Sequence, residues 1–199
     1  MANPSANNVA AAKPNAAGGI YYGPLGTALP TDASTELDEG FTALGYISED
    51  GITPSRDVSS EQIKAWGGDV VAALVTDDAK SFEFTLLEVF SADVQKFVHG
   101  ADNVVVTPAV PGTSGEAIAI KDTAFKVEDC VLVFEMQHDG KKRRVVVSNA
   151  DCNVSGEEPY TDGGLSAYTI SATALKDDDG TRVYEYLEGV VPAGDPGNP

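Results

Sequence analysis

Residues 130–149 read CVLVFEMQHDGKKRRVVVSN, two alternating runs folded about Asp139–Gly140. Asp-Gly favours a two-residue hairpin turn, because both turn positions need backbone conformations with positive φ. Setting His138 opposite Lys141 fixes the rest of the ladder. Leu132 then meets Val147 and Phe134 meets Val145, with Cys130 and Met136 on the same apolar face. On the reverse face Glu135 meets Arg144 and Gln137 meets Lys142; an opposite-charge pair of this kind contributes about 0.2–1 kcal/mol. The same register sets Cys130 opposite Asn149 and points Cys152 to the other face, so no intrachain disulfide is expected. A chain built around this hairpin is committed to antiparallel sheet.

The remaining pattern agrees. Phe82, Phe84 and Leu86 alternate with Ser81, Glu83 and Thr85, the period of two of a half-buried strand. Further strands are predicted within 19–30, at 41–47 and, after NVVVTP and a Pro/Gly loop at 107–115, at about 116–121, 126–137, 142–149, 165–176 and 181–188, with DDDG at 177–180 joining the last two as a hairpin. Residues 70–88 read as a hairpin with its turn near Asp77–Ala79. One helix interrupts the pattern at about 91–99: Ser91 can cap it, Val94, Phe97 and Val98 share a face, and Gly100 can end it. Residues 52–69, ITPSRDVSSEQIKAWGGD, carry few regular signals and read as a long loop, a length that in compact domains is usually functional. Residues 1–18 read as a flexible arm, 19–189 as one domain, and 190–199 as a Pro/Gly tail. The first residues lack the basic-then-apolar layout of a secretory signal. No apolar run approaches the roughly 18 residues of a membrane span.

The 31 carboxylates against 13 Lys and Arg give a formal net charge of −18. That balance opposes a grip on nucleic acid, which needs clustered cations to displace phosphate counterions. It suits either plain solubility or a protein that stays close to a polyanion without sticking. The basic run Lys141–Arg144 is the exception. Arg144 is answered by Glu135, whereas Lys141, Lys142 and Arg143 have no obvious partner within the chain and are assigned to contacts with another copy.

No catalytic constellation is visible. His99 and His138 stand at no metal-ligand spacing, GTSGE lacks a nucleophile elbow, and there is no phosphate or dinucleotide loop. DDDG lacks the alternating oxygen ligands and distal Glu of a calcium loop. The expectation is a non-enzyme with no cofactor and no metal. The two cysteines fit a reducing compartment.

The blocks GGIYYGPLGTALPTDAST, FTALGYISEDGI, IKAWGGDVV, FEFTLLEVF and DVQKFVHGADNV, in this order, resemble the major tail tube proteins of long-tailed bacteriophages, especially those infecting actinobacteria. The similarity runs from about Gly18 to Asn149 and loosens beyond. It implies a mainly β fold: a tail-tube-type β-sandwich with one flanking α-helix, a long inter-ring loop and extended terminal arms. It also implies hexameric rings stacked into a hollow tube with an electronegative lumen that passes phage DNA into the host. Six copies at −18 give a ring of about −108, a field that screening confines to about 8 Å from the wall.

The implied partners are the chain itself, other tail proteins such as tape measure and terminator, and phage DNA in transit without specific binding; no membrane insertion is implied. The implied location is the virion tail, assembled in the host cytoplasm. On this reading Tyr22, Ile63, Trp66, Lys141, Lys142 and Arg143 make inter-subunit or inter-ring contacts, and Glu83 and Glu135 are lumen-lining candidates. Trp66 reads alternatively as a core residue of its own domain, and Glu135 is also claimed by Arg144. The competing reading is a β-sandwich binding module, carbohydrate-binding or adhesin-like, displayed on a particle surface. It would be a monomer with a rigid groove and clustered aromatics, and this chain has a single tryptophan.

Overall fold

The computed structural model describes residues 9–15, 18–123, 128–158 and 160–189. Ten strands and one helix follow in order: β1 (Ile20–Pro24), β2 (Thr42–Ala43), β3 (Ile47–Lys64), β4 (Val70–Leu86), α1 (Ala92–His99), β5 (Val104–Thr107), β6 (Ala117–Ile120), β7 (Cys130–His138), β8 (Lys141–Val154), β9 (Tyr168–Ala174) and β10 (Val183–Glu188). The main sheet runs β2-β1-β7-β8-β9-β4-β3, with β10 also on β8; β5 and β6 form a separate pair. No described helix is long and apolar enough to cross a membrane.

The long strand β8 turns this path into two layers. Its first half pairs with β10 through Lys142–Val147, and its second half pairs with β9 through Ala150–Val154. Layer I is therefore β2-β1-β7-β8-β10, and layer II is β8-β9-β4-β3. Their inner faces meet in one core, where Phe134 of β7 lies 5.1 Å from Phe82 and 6.0 Å from Phe84 of β4, ring centre to ring centre. Leu132, Val145 and Val147 join from layer I, and Ile170, Ala172 and Cys152 from layer II. Burying Phe84 and Phe134 almost completely contributes roughly 1.5–3 kcal/mol each. Helix α1 adds Val94, Phe97 and Val98 to the same core and ends at Gly100, whose φ of 83° favours glycine.

The central hairpin has the expected register, from His138↔Lys141 through Glu135↔Arg144 to Leu132↔Val147. There it departs. Cys130 pairs with Ala150, so between these pairs β8 spends three residues against two on β7. This bulge changes which alternate residues of β8 face the core: Val145 and Val147 before it, Ala150 and Cys152 after it. Cys130 and Cys152 therefore share the core face, with sulfurs 3.7 Å apart, and both are free thiols. The expectation of opposite faces fails because it carried an unbulged ladder past Asn149.

Three further expectations change. DDDG does not close a β9–β10 hairpin: the strands pair with successive parts of β8 and not with each other. Here the chain crosses from layer II to layer I through a corner held by Asp177, which accepts from the Thr181 amide at 2.8 Å and the Tyr184 hydroxyl at 2.7 Å. There is no turn at Asp77–Ala79. These residues lie within β4, opposite Ser59, Val58 and Asp57. The segment 52–69 is mostly strand: β3 runs to Lys64, and the hairpin closes around Ala65–Asp69.

Part of the N-terminal arm is also in place. Pro14 bridges to Met136, and the Gln137 amide donates to the Lys13 carbonyl at 2.7 Å, continuing layer I beside β7. Residues 1–8, the tail 190–199, and the 126–127 start expected for the strand before Cys130 lie outside the described residues.

Candidate assembly surfaces

A β-hairpin arm dominates the surface. Strand β9 pairs with β4 only from Ser81 onward, so β3 from Arg56 to Lys64 has β4 as its sole described neighbour. At about 3.3 Å per residue this two-stranded ribbon projects roughly 30 Å. Every residue of 57–71 is exposed, including Val58, Ile63, Trp66, Val70 and Val71, and Leu74 and Val75 follow on the returning strand. An isolated ribbon is marginally stable in water, and so much exposed apolar surface marks an interaction site. At the arm's root Arg56 donates twice to Asp78, at 2.8 and 2.9 Å, while Arg182 lies 3.4 Å from the same carboxylate. These cations hold Asp78 below the usual carboxylate range, with the Arg56 hydrogen bond the largest cause.

The second surface is the outer face of layer II. Cross-strand pairing lines up Ser55, Ser81, Thr173 and Asp151 in one row and Thr53, Glu83, Ser171 and Asn153 in the next; Thr85 and Thr169 follow. The Ser55 and Ser81 hydroxyls are 2.8 Å apart and those of Thr85 and Thr169 are 3.1 Å apart. No Lys or Arg belongs to these rows. The face is a sheet of hydroxyls carrying carboxylates. Glu83 was legible from sequence as a polar-face residue. Ser81 and Thr85 were legible with it; the cross-strand neighbours on β3, β8 and β9 were missed, although T-I-S-A-T shows the same alternation.

The outer face of layer I is different. Val131, Val133 and Val146 are covered by Leu29, Leu37 and Phe41 from the 25–41 loop. Beside them lies Arg144, whose side chain is 4% exposed. It donates through Nε to Glu135 at 2.9 Å and through a second nitrogen to the same carboxylate. Its other donors reach the carbonyls of Asp32 at 2.9 Å and Thr35 at 2.7 Å. The guanidinium thus ties the loop to the sheet. Asn15 also donates to Glu135 at 2.9 Å, and that carboxylate is largely covered. Glu135 is the structural partner of Arg144, the second of its two sequence readings.

Arg143 and Lys141 also find partners within the chain, where none was expected. Arg143 bridges Glu185 of β10 at 2.7 Å, and Lys141 donates to the Val9 carbonyl at 2.7 Å. Lys142 stands in register with Gln137 on one side and Glu188 on the other. β10 was the missing partner, and its pairing with β8 could not be read from hairpin logic. Tyr22 is half-buried, its ring 5.0 Å from Phe97. Ile63 and Trp66 lie on the arm, with Trp66 fully exposed, which removes the reading of Trp66 as a core residue. Glu83 lies on the hydroxyl face.

The described residues hold no cluster of metal-ligating side chains. What the fold presents is surface: a free-standing arm, a cation-free polar sheet, and the open edge of an 18-residue strand. These are the attributes of a structural subunit that meets further chains. The chain belongs to the phage tail tube protein family, whose model matches residues 2–193. No curated protein matches it in sequence. It is a structural component of the phage virion tail, and membership implies assembly with itself and with other tail proteins.

Proposed function

We propose that the subunit closes into rings, six to a ring, that stack into a tube, and that the hydroxyl-and-carboxylate face of layer II lines the bore through which phage DNA passes. The observation that carries this reading is the composition of that face, ten polar side chains in register without a cation. A duplex sliding past Lys or Arg would gain phosphate contacts with each released counterion, and the wall would act as a brake. Hydroxyls and carboxylates give it none. The basic run belongs to layer I, on the other side of the sandwich, in keeping with a bore free of cations.

The open edge of β3 is the surface on which a neighbouring copy continues the sheet within a ring, since an unpaired strand edge is a template for further pairing. The arm bridges to the adjacent ring, where burial of its apolar residues stabilises the ribbon. The finished tube joins the tape measure and terminator proteins, and assembly takes place in the host cytoplasm. Single cysteines at Ser171 and at Glu185 test the placement. In assembled tubes Ser171→Cys should react with a small maleimide but resist a bulky polymer-linked one, while Glu185→Cys takes both. Equal labelling of Ser171→Cys by the two reagents would reject the bore assignment.

A further inference from the structure

The arm ends in a side chain with no partner among the described residues. Trp66 is fully exposed at the tip of the β3–β4 hairpin. The tip is a closed turn rather than a loose loop. The Ala65 amide donates to Asp69 at 2.8 Å and the Gly68 amide to Ala65 at 2.9 Å. Gly67 and Gly68 have φ of 121° and 97°, and nothing lies within 4 Å of a Cβ added at either. The indole is therefore displayed on a defined support with no bulk beside it, which lowers the entropy lost when it docks.

Elsewhere on the subunit lies a cavity of 520 Å³ with more apolar than polar lining. Tyr22 and Phe97 supply aromatic walls, Cys130 contributes a buried side chain, and the 3₁₀ turn Ala101–Asn103 lies at its mouth. Cavities of about 300–1,000 Å³ suit compact organic groups, and one indole is well within that range. The lining also includes Asp102 and Glu128, while its Lys96 ammonium is occupied by Asp93 at 3.2 Å. Lys64, next to the tip, offers the complementary charge.

We propose that Trp66 of one copy inserts into the Tyr22–Phe97 cavity of another, with Lys64 meeting the Asp102 and Glu128 carboxylates. The inference rests on the self-assembly reading above and names the receiving site for the arm. A knob and a socket on different surfaces of the same chain form a head-to-tail contact, which propagates when it does not close on itself. That is the symmetry a growing stack requires. A buried tryptophan is also the residue type most often found to dominate an interface.

Trp66 is the only tryptophan in the chain and reports on itself. Fluorescence of the full chain is measured before and after assembly, with electron microscopy on the same samples, for the wild type and for Ala101→Phe at the exposed cavity mouth. The expected result is a blue-shifted, quencher-protected indole in wild-type tubes, and loss of either the shift or the tubes in the variant, with its circular dichroism unchanged. Wild-type tubes whose indole stays solvent-exposed, or variant tubes with an unaltered shift, would overturn the docking and leave self-assembly standing. Wild-type protein that forms no tubes would overturn the self-assembly reading itself. If Ala101→Phe fails to fold, Trp66→Cys and Ala101→Cys proteins are mixed under oxidation. A mixed disulfide dimer supports the docking, and its absence from formed tubes refutes it.

Discussion

Cys130 and Cys152 face each other across β7 and β8 with sulfurs 3.7 Å apart, because the bulge between Val147 and Ala150 brings Ala150 and Cys152 onto the core face. The pair lies where β8 passes from one layer to the other. Both thiols are buried, and the contact with Cys130, reinforced by burial, pushes the Cys152 thiol far up. A thiol held protonated, as that of Cys152 is, is a poor nucleophile, and Cys130 is shielded by burial. Iodoacetamide at pH 8 should therefore modify neither cysteine in the folded subunit and both in urea; mass spectrometry counts the adducts.

Arg144 and Glu135 make the most consequential ion pair for the subunit's own stability. Removing one partner of a buried pair typically costs about 3–5 kcal/mol, mostly because the other charge is stranded. Arg144→Met should destabilise by that order in denaturant unfolding and release the 25–41 loop. Adding Glu135→Gln should restore part of the loss, so that the double variant is more stable than the sum of the single changes implies.

Asp32 gives the same loop an acid limit. Its carboxylate accepts from the Thr35 hydroxyl and from the amides of Thr35, at 2.6 Å, and Ser34, at 2.8 Å. These hydrogen bonds, that from the Thr35 side chain above all, lower its pKa to about 2 from an ordinary 3.8. A depressed carboxylate stabilises the fold above its unfolded value and loses that contribution as pH falls through the folded one. Hydrogen exchange at the Thr35 amide should be flat from pH 7 to pH 4, after correction for intrinsic rates. Protection should fall between about 3.8 and 2. In Asp32→Asn the step should disappear.

Glu83 tests the bore by charge. Glu83 lies on the exposed side of β4, away from the core, so Glu83→Lys should leave subunit stability within about 0.5 kcal/mol of wild type. In virions carrying it, the new ammonium groups, six to a ring in the proposed assembly, should slow DNA release measurably, and added salt should reverse the delay because phosphate contacts weaken steeply with salt. Release at the wild-type rate in low salt would remove Glu83 from the wall.

The features legible in sequence were those enforced by a core. The register of Phe134 with Val145, the alternation of Phe82, Phe84 and Leu86, and the helix carrying Val94 and Phe97 all show because one face of each element is buried. The arm was missed for the converse reason. Both faces of 57–71 meet solvent within one subunit, so the segment has no apolar period even though its two strands pair with each other. Hydrophobic periodicity reports burial, not hydrogen bonding, and nothing in the described subunit buries the arm. The bulge in β8 left no local signal either. It became visible only through the partners of Cys130 and Leu132. The pairing of Arg143 with Glu185 depends on β10 reaching β8 across a corner, a choice set by the whole sandwich.

Electron microscopy of the purified full-length chain, concentrated without other tail proteins, tests the account most directly. The account predicts hollow filaments of stacked rings with a continuous central channel, and loss of stacking when the arm residues 57–76 are replaced by a short turn. A protein that remains a monomer at every concentration, or forms solid fibres without a bore, would contradict it.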